Sequence, residues 1–157
     1  MKREPCGLYA APNAPDRHIY CGPTAMAAIT GFGSMVVERM LQSLRKDAPK
    51  PRRERHARGD MVRAMWSSEV EPLARALGWR AVEVVAPLDQ HYGTTLAQWQ
   101  RRRVKDAAPY LVLVTGHFVA VQGRWFVDST QREPIPFSKA KHKRKRVVRV
   151  WRLEECK

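Results

Sequence analysis

Cys21 opens a stretch of residues that suits a reactive thiol. The sequence YCGPTAMAA (20–28) predicts that a helix begins here, because Pro23 suits a first helical turn and the residues after it give an apolar face. A cysteine at a helix N-terminus feels the positive end of the helix dipole, which favours the thiolate. From this stretch alone, Cys21 is a candidate for a core residue, a metal ligand, half of a disulfide or a nucleophile.

The other cysteines and the histidines argue against two of these roles. Three cysteines are an odd number and form no CxxC pair, which is unlike a disulfide framework or a zinc ribbon. No pair of histidines has the HxxxH or HxH spacing of a metal site. We therefore expect no disulfide framework and no structural metal site, and nucleophilic chemistry at a thiol would need no cofactor. The residues concerned are Cys6, Cys21, Cys156, His18, His56, His91, His117 and His142.

The stretch GHFVAVQGRWFVDST (116–130) predicts a β-hairpin that carries a histidine and an aspartate. Two apolar strands flank Gln122 and Gly123, which form a two-residue turn with glycine at positive φ. With that turn, the numbers of cross-strand partners sum to 245, so that His117 faces Asp128. Directly opposite side chains share a face, with Cβ atoms about 4.5–5.5 Å apart. A one-residue slip would break this pairing.

Cys21, His117 and Asp128 have the residue types of a thiol-based catalytic triad. A histidine beside the cysteine can hold the thiolate as an ion pair and later deliver a proton to the leaving group. A carboxylate on the other ring nitrogen fixes the tautomer and supports the imidazolium. Each residue alone is more often structural, but the three together predict nucleophilic catalysis.

Three motifs in this order resemble the papain-like cysteine peptidases: YCGPTAMAAITG (20–31), GHFVAVQG (116–123) and WFVDST (125–130). They are most similar to the C39-like branch, which includes bacteriocin-processing peptidase domains and many phage and bacterial proteins. The resemblance implies N-terminal helices, led by the nucleophile helix, packed against a C-terminal antiparallel sheet. It also implies roles for the triad residues. Cys21 would be the nucleophile, His117 the general base and acid, and Asp128 the orienting residue.

One position departs from the family pattern. Papain-like enzymes usually carry a glutamine about six residues before the nucleophile, where it helps to form the oxyanion hole, and here that residue is Pro15. Asn13 and His18 are the substitute candidates, beside the backbone N–H of Cys21. The chain also lacks the transporter segments of the bacteriocin-processing members, so their substrate does not carry over.

Around these motifs, the apolar periodicity predicts one α+β domain over residues 1–157, with helices mostly first and strands mostly afterwards. An irregular arm (1–19) leads to the nucleophile helix, and a basic loop (46–59) follows a second helix that Ser34 caps. Ser68 and Glu71 fit a capping box at the start of a later helix. Strands are predicted at 79–86, 110–130 and 146–154, and a short helix at 94–103.

The charge is unusual, at +14 on 157 residues. Basic runs occur at 46–60, at 101–105 and in a segment (138–146) that contains KAKHKRKR. Such runs favour nonspecific contact with nucleic acid or another polyanion, or else form solvated loops. No aromatic residue interleaves them, which argues against base stacking. No apolar run approaches the length of a membrane span and no signal peptide begins the chain, so we expect a location in the cytoplasm or in a phage virion.

Two hypotheses of different classes remain open. The first is a cysteine hydrolase that cleaves a peptide, isopeptide or related amide bond in a polypeptide substrate. The second is a noncatalytic papain-like structural or interaction protein of the phage virion type, which uses its basic surface to contact nucleic acid or a partner chain. Transfer of the acyl group to an amine, as in transglutaminase-like relatives, is a third outcome that the triad alone does not separate from hydrolysis.

Overall fold

The computed structural model describes residues 6–15, 18–47, 65–84 and 94–157. Within these ranges it contains four α-helices, two short 3₁₀ turns and six strands. The helices are α1 (Cys21–Thr30), α2 (Ser34–Lys46), α3 (Val70–Ala76) and α4 (Leu96–Arg101). The 3₁₀ turns are Ser67–Glu69 and Phe137–Lys139. The strands are β1 (Trp79–Glu83), β2 (Pro109–Val114), β3 (His117–Gln122), β4 (Trp125–Val127), β5 (Ile135–Pro136) and β6 (Val147–Glu155).

The six strands form one sheet in the order β1-β6-β2-β3-β4-β5, and every pairing is antiparallel. The architecture is mixed helix and antiparallel sheet, compatible with the predicted α+β class. Strand β5 has no counterpart among the predicted strands, because two residues are too few to show periodicity. The predicted basic loop (46–59) lies outside the described residues, apart from Lys46 and Asp47. No helix in the described ranges is long and apolar enough to cross a membrane.

Both faces of the sheet are covered, each by its own apolar cluster. Side chains of β3 alternate between the two clusters. Phe118 and Ala120 belong to the first cluster, and Val119 and Val121 belong to the second. The first cluster contains residues of α1, α2 and α3, and the second contains residues of α4 together with Phe137. The helices that precede the sheet in sequence therefore cover only one of its faces.

Helix α1 is buried on all sides, from Gly22 to Thr30. Its run of small residues allows close packing, and Gly22 is required by such an approach: a Cβ there would lie 2.4 Å from the Cβ of Met65. The hydroxyl groups of Thr24 and Thr30 donate to the carbonyls of Ile19 and Met26, which satisfies the polar groups that α1 buries. The first residue of this central helix is Cys21.

The arm before α1 contains neither helix nor strand in its described part, yet backbone contacts fix it in place. The Tyr9 N–H donates to the Ala28 carbonyl at 2.8 Å. The Ser34 hydroxyl donates to the Pro12 carbonyl at 2.6 Å. The predicted N-cap role of Ser34 is therefore wrong, since Ser34 is the first residue of α2 and its hydroxyl holds the arm instead.

The β3–β4 hairpin has a different register from the predicted one. Gln122 pairs with Trp125 and Val121 with Phe126, so the two turn residues are Gly123 and Arg124 rather than Gln122 and Gly123. The physical reason is φ: Gly123 has φ +57° and no other residue type has positive φ in the described chain. A two-residue turn with one positive φ places glycine first, as in type II′, whereas the predicted turn would need positive φ at glutamine.

The N-terminal capping of the α3 region also differs from prediction. Ser68 lies inside the 3₁₀ turn, and the N-cap residues of the turn and of α3 are Trp66 and Glu69. Instead, the Glu69 carboxylate accepts the backbone N–H of Trp66 at 2.7 Å and binds Arg45 of α2. Glu69 is buried, and its ion pair with Arg45 offsets the cost of burying the carboxylate. The pair joins α2 to the turn before α3.

Candidate active site

Cys21 lies half-buried at the first position of α1. The His117 imidazole and the backbone N–H groups of Phe118 and Gly22 lie close enough to its sulfur to stabilise the thiolate. Burial on its own raises the pKa of this thiol, but the hydrogen bonds and the charge of His117 outweigh burial, so the net effect is a lowered pKa. Helix α1 and strand β3 thus place a thiol and an imidazole in direct contact.

The His117 imidazole joins the thiol to a buried carboxylate. Its Nε2 lies 2.9 Å from Oδ2 of Asp128, which is fully buried, and Nδ1 is the ring nitrogen that remains for Cys21. Burial lowers the pKa of His117, but hydrogen bonds and charges from Asp128 and Cys21 raise it to about 9. Burial raises the pKa of Asp128, and the His117 and Thr130 hydrogen bonds turn this into a net lowering. Imidazolium and carboxylate are therefore the stable forms at neutral pH.

The two oxygens of Asp128 have separate tasks. Oδ1 accepts three hydrogen bonds, from the Thr130 N–H at 2.9 Å, the Thr130 hydroxyl at 2.8 Å and the Gln131 N–H at 2.7 Å. These bonds hold the turn that follows β4 and fix the carboxylate plane. Oδ2 is thereby directed at His117.

This carboxylate reaches His117 although the predicted register is wrong. Moving the turn by one residue changes the sum of partner numbers by two, and side chains alternate with a period of two. Asp128 therefore keeps the face that it shares with His117. It lies just beyond β4, diagonal to His117 rather than directly opposite.

His142 is a fourth member of this cluster. Unlike the other three residues, it was not predicted as a site residue from the sequence. Its ring centroid lies 4.4 Å from that of His117, and its Nε2 lies 3.2 Å from Oδ2 of Asp128. The contact to Asp128 lacks hydrogen-bond geometry, and this Nε2 has no hydrogen-bond partner among the described residues. Burial and the His117 charge lower the pKa of His142, so it is neutral beside a charged His117. No spacing rule points to it, because it lies within a run of lysines and arginines.

His117, Asp128 and His142 are also the one group in the described ranges with three metal-type donors close together. Their ligand atoms lie within 4.8 Å of one another, and two imidazoles with a carboxylate are a donor set that divalent transition metals accept. Two of the three donors are already joined by the 2.9 Å hydrogen bond between His117 and Asp128. His117 and Asp128 thus satisfy each other as an acid–base pair, whereas Nε2 of His142 has no hydrogen-bond partner among the described residues.

Asn13 and His18, the predicted oxyanion candidates, contact each other. The Asn13 amide nitrogen lies 3.3 Å from Nδ1 of His18, and its oxygen accepts the Ile19 N–H at 2.6 Å. His18 also makes an edge-to-face contact with Tyr20. Within the described part of the chain, no hydrogen bond, ion pair or ring contact joins either side chain to Cys21 or His117. Their place is in the turn that leads into α1.

Arg132 fastens this turn to the sheet and was not singled out by the sequence. Its guanidinium donates to the carbonyls of Ile19 and Ala11 and to the Thr24 hydroxyl. Its own carbonyl accepts the Ala11 N–H at 2.8 Å. Since Arg132 follows the Asp128 turn closely, one side chain couples the chain before Cys21 to the loop that carries the carboxylate.

Comparisons with protein-family models, with curated proteins and with solved structures gave no match to this chain. The chemistry therefore has to be argued from the cluster itself. A thiol with a lowered pKa, an imidazole with a raised pKa and a fixed carboxylate can together form a nucleophile, hold its counter-charge and move one proton.

Proposed function

We propose that this protein is a cysteine hydrolase that cleaves a peptide, isopeptide or related amide bond of a polypeptide. One observation carries the proposal: the His117 imidazole lies beside the Cys21 thiol, whose pKa it lowers, and is hydrogen-bonded to the buried Asp128 carboxylate. The same three residues are the ones that the papain-like resemblance assigns to the triad. The papain-like fold, with α1 as nucleophile helix, is part of this proposal.

In the first half of the reaction, the Cys21 thiolate attacks the carbonyl carbon and a C–S bond forms. The C–N bond then breaks, and the leaving nitrogen takes the proton of the His117 imidazolium, which leaves an acyl thioester and neutral imidazole. In the second half, His117 removes a proton from water as the water oxygen attacks the thioester carbon. The C–S bond breaks, and the carboxylic acid and the thiolate–imidazolium pair result.

The negative oxygen of each tetrahedral intermediate needs hydrogen-bond donors. As the first residue of α1, Cys21 has a backbone N–H without an intrahelical acceptor, and this group is the first donor. Asn13 and His18 remain the candidates for the second donor. Either one would have to exchange its present contact for the substrate oxygen.

The proposal is tested by the pH dependence of iodoacetamide alkylation, read for each cysteine by peptide mass spectrometry. An ordinary thiol with a pKa near 8.5 is only about 0.3% ionised at pH 6. We expect Cys21 to be labelled at pH 6 roughly 100-fold faster in the wild type than in His117→Ala, because only the former has the stabilised thiolate. Cys6 and Cys156 are internal controls, whose labelling should not respond to His117.

Equal labelling of Cys21 in the two proteins, with an ordinary thiol profile, would overturn the hydrolase proposal. The chain would then be a noncatalytic protein that keeps this arrangement, and its basic surface would be the feature to explain. Salt-sensitive binding to nucleic acid that survives Cys21→Ala would support that second function.

A further inference from the structure

The basic run KAKHKRKR, which we call the cationic segment (residues 139–146), lies directly against the candidate active site. His142 of this segment touches both His117 and Asp128. Lys145 donates from Nζ to the Thr115 carbonyl at 3.3 Å, and the Thr115 N–H donates to the Arg146 carbonyl at 3.0 Å. Since Thr115 is two residues before His117, the segment is attached to the same β2–β3 turn that positions the imidazole.

The cations of this segment have no carboxylate partners among the described residues. Elsewhere in the described chain, Arg45, Arg80 and Arg149 each pair with a glutamate. In the segment, the ammonium groups of Lys143 and Lys145 reach only backbone carbonyls. The exposed members of the segment are Lys139, Lys141, Arg144 and Arg146.

The unpaired charge acts on the site itself. After burial and the charge of His117, the charges of Lys145 and Lys141 lower the pKa of His142, against the opposing pull of Asp128. The electrostatic field of several cations that lack a carboxylate partner also raises the local concentration of an anionic partner and its rate of association. The positive surface therefore lies next to the candidate triad, because His142 contacts both His117 and Asp128.

We propose that the cationic segment binds acidic side chains of the polypeptide that is cleaved at Cys21. The inference rests on the proposed function, because it assigns the substrate class of that same site. A substrate chain that extends from the thiol past His117 reaches the segment, because His142 packs on His117. An extended polypeptide advances about 3.3 Å per residue, so acidic residues within a few positions of the scissile bond come into reach.

Nucleic acid fits this location less well. The segment contains no aromatic residue on which unpaired bases could stack. A duplex bound across it would cover the approach to His117. Carboxylates on a flexible chain match dispersed lysine and arginine side chains without either difficulty.

The test uses two peptidyl vinyl sulfones of the same sequence, one with two glutamates and one with two glutamines beside the reactive group. The second-order rate constant for modification of Cys21 is measured at 50 mM and at 300 mM NaCl. At 50 mM NaCl we expect the glutamate probe to react about tenfold faster than the glutamine probe. At 300 mM NaCl the ratio should fall to about twofold, because salt screens exposed charges.

The double variant Lys141→Gln/Arg144→Gln should lose this preference for the glutamate probe. Arg39→Gln/Arg75→Gln is the matched control, since both arginines are exposed on the helices α2 and α3 and the net charge changes equally. The control should keep the preference. Far-ultraviolet circular dichroism checks that both variants are folded.

The possible results separate the two proposals. If Cys21 reacts with neither probe and has an ordinary iodoacetamide profile, the hydrolase proposal falls. If Cys21 reacts readily but equally with both probes, the hydrolase survives and the acidic substrate class is overturned. Equal rates together with salt-steep binding of a DNA duplex, lost in Lys141→Gln/Arg144→Gln, would instead assign the segment to nucleic acid.

Discussion

Two buried carboxylates in this molecule are held alike and are suited to different work. Glu69 binds the Arg45 guanidinium through both oxygens, at 2.8 and 2.9 Å, and accepts the Trp66 N–H. Asp128 accepts backbone N–H groups with one oxygen and meets the His117 imidazole with the other. In each case a fixed carboxylate faces a cation, and the surrounding protein excludes most of the water.

The difference lies in the cation. A guanidinium keeps its protons throughout the pH range of folded proteins, so the Arg45–Glu69 pair can only hold α2 against the turn before α3. An imidazole gains and loses a proton near neutral pH, and His117 lies between a carboxylate and a thiol. The same kind of pairing therefore holds two elements together in one region, and in the other it has the chemistry that the proposed proton transfer needs.

The largest effect should come from Glu69→Gln, which removes the carboxylate charge that the Arg45 guanidinium binds through two hydrogen bonds. We expect a loss of about 3 kcal/mol in the free energy of unfolding, measured by urea denaturation. Glu71→Gln, an exposed neighbour, is the control and should change stability little. The alkylation rate of Cys21 at pH 7 should change less than twofold in the folded variant. A large drop in that rate would mean that the two regions are not independent.

Asp128→Asn tests the other side of the comparison. The substitution keeps an acceptor for the Thr130 and Gln131 bonds but removes the charge that stabilises the His117 imidazolium. The wild-type pKa of His117 is about 9. Because a neighbouring anion raises the pKa of a histidine, its removal should lower the pKa of His117 by about one pH unit. The Cε1 proton resonance of His117, assigned with His117→Ala, reports both values. An unchanged midpoint would contradict the ionic role of Asp128.

The smallest effect is expected for Thr130→Val, which removes one donor to Oδ1 while Oδ2 still faces His117. Loss of one hydrogen bond of this kind lowers the free energy of unfolding by about 1 kcal/mol. Cys21 alkylation should change less than threefold. Ser129→Ala, at the adjacent residue, is the control in the same denaturation experiment. If Thr130→Val lowers reactivity as strongly as His117→Ala, the division of labour between the two oxygens is wrong.

The sequence predicted those parts of the fold that rest on local patterns. Helix α1 begins at Cys21, and the segments predicted as strands at 79–86, 110–130 and 146–154 contain strands. The contact between His117 and Asp128 was predicted from the wrong turn. It survived because a shift of the turn by one residue preserves the face. Alternation is thus a more robust guide to shared chemistry than the exact register.

The remaining features depend on contacts between distant parts of the chain. His142 reaches Asp128 through the fold, and nothing in a run of lysines marks one histidine as different. Arg132 binds carbonyl groups more than a hundred residues away, and a backbone carbonyl has no signature in a sequence. Ser34 shows the same limit, since its side chain found a tertiary partner in place of the predicted cap.

Arg132 also determines when the site can exist during synthesis. It joins the loop after Asp128 to Ala11 and Ile19, which lie 121 and 113 residues earlier. A nascent chain that has emerged only as far as α3 carries Cys21 but lacks His117, Asp128 and Arg132. Its thiol is then an ordinary cysteine, and the loop that must close is among the longest in the chain. The arrangement around Cys21 thus forms only after the chain as far as Arg132 has left the ribosome.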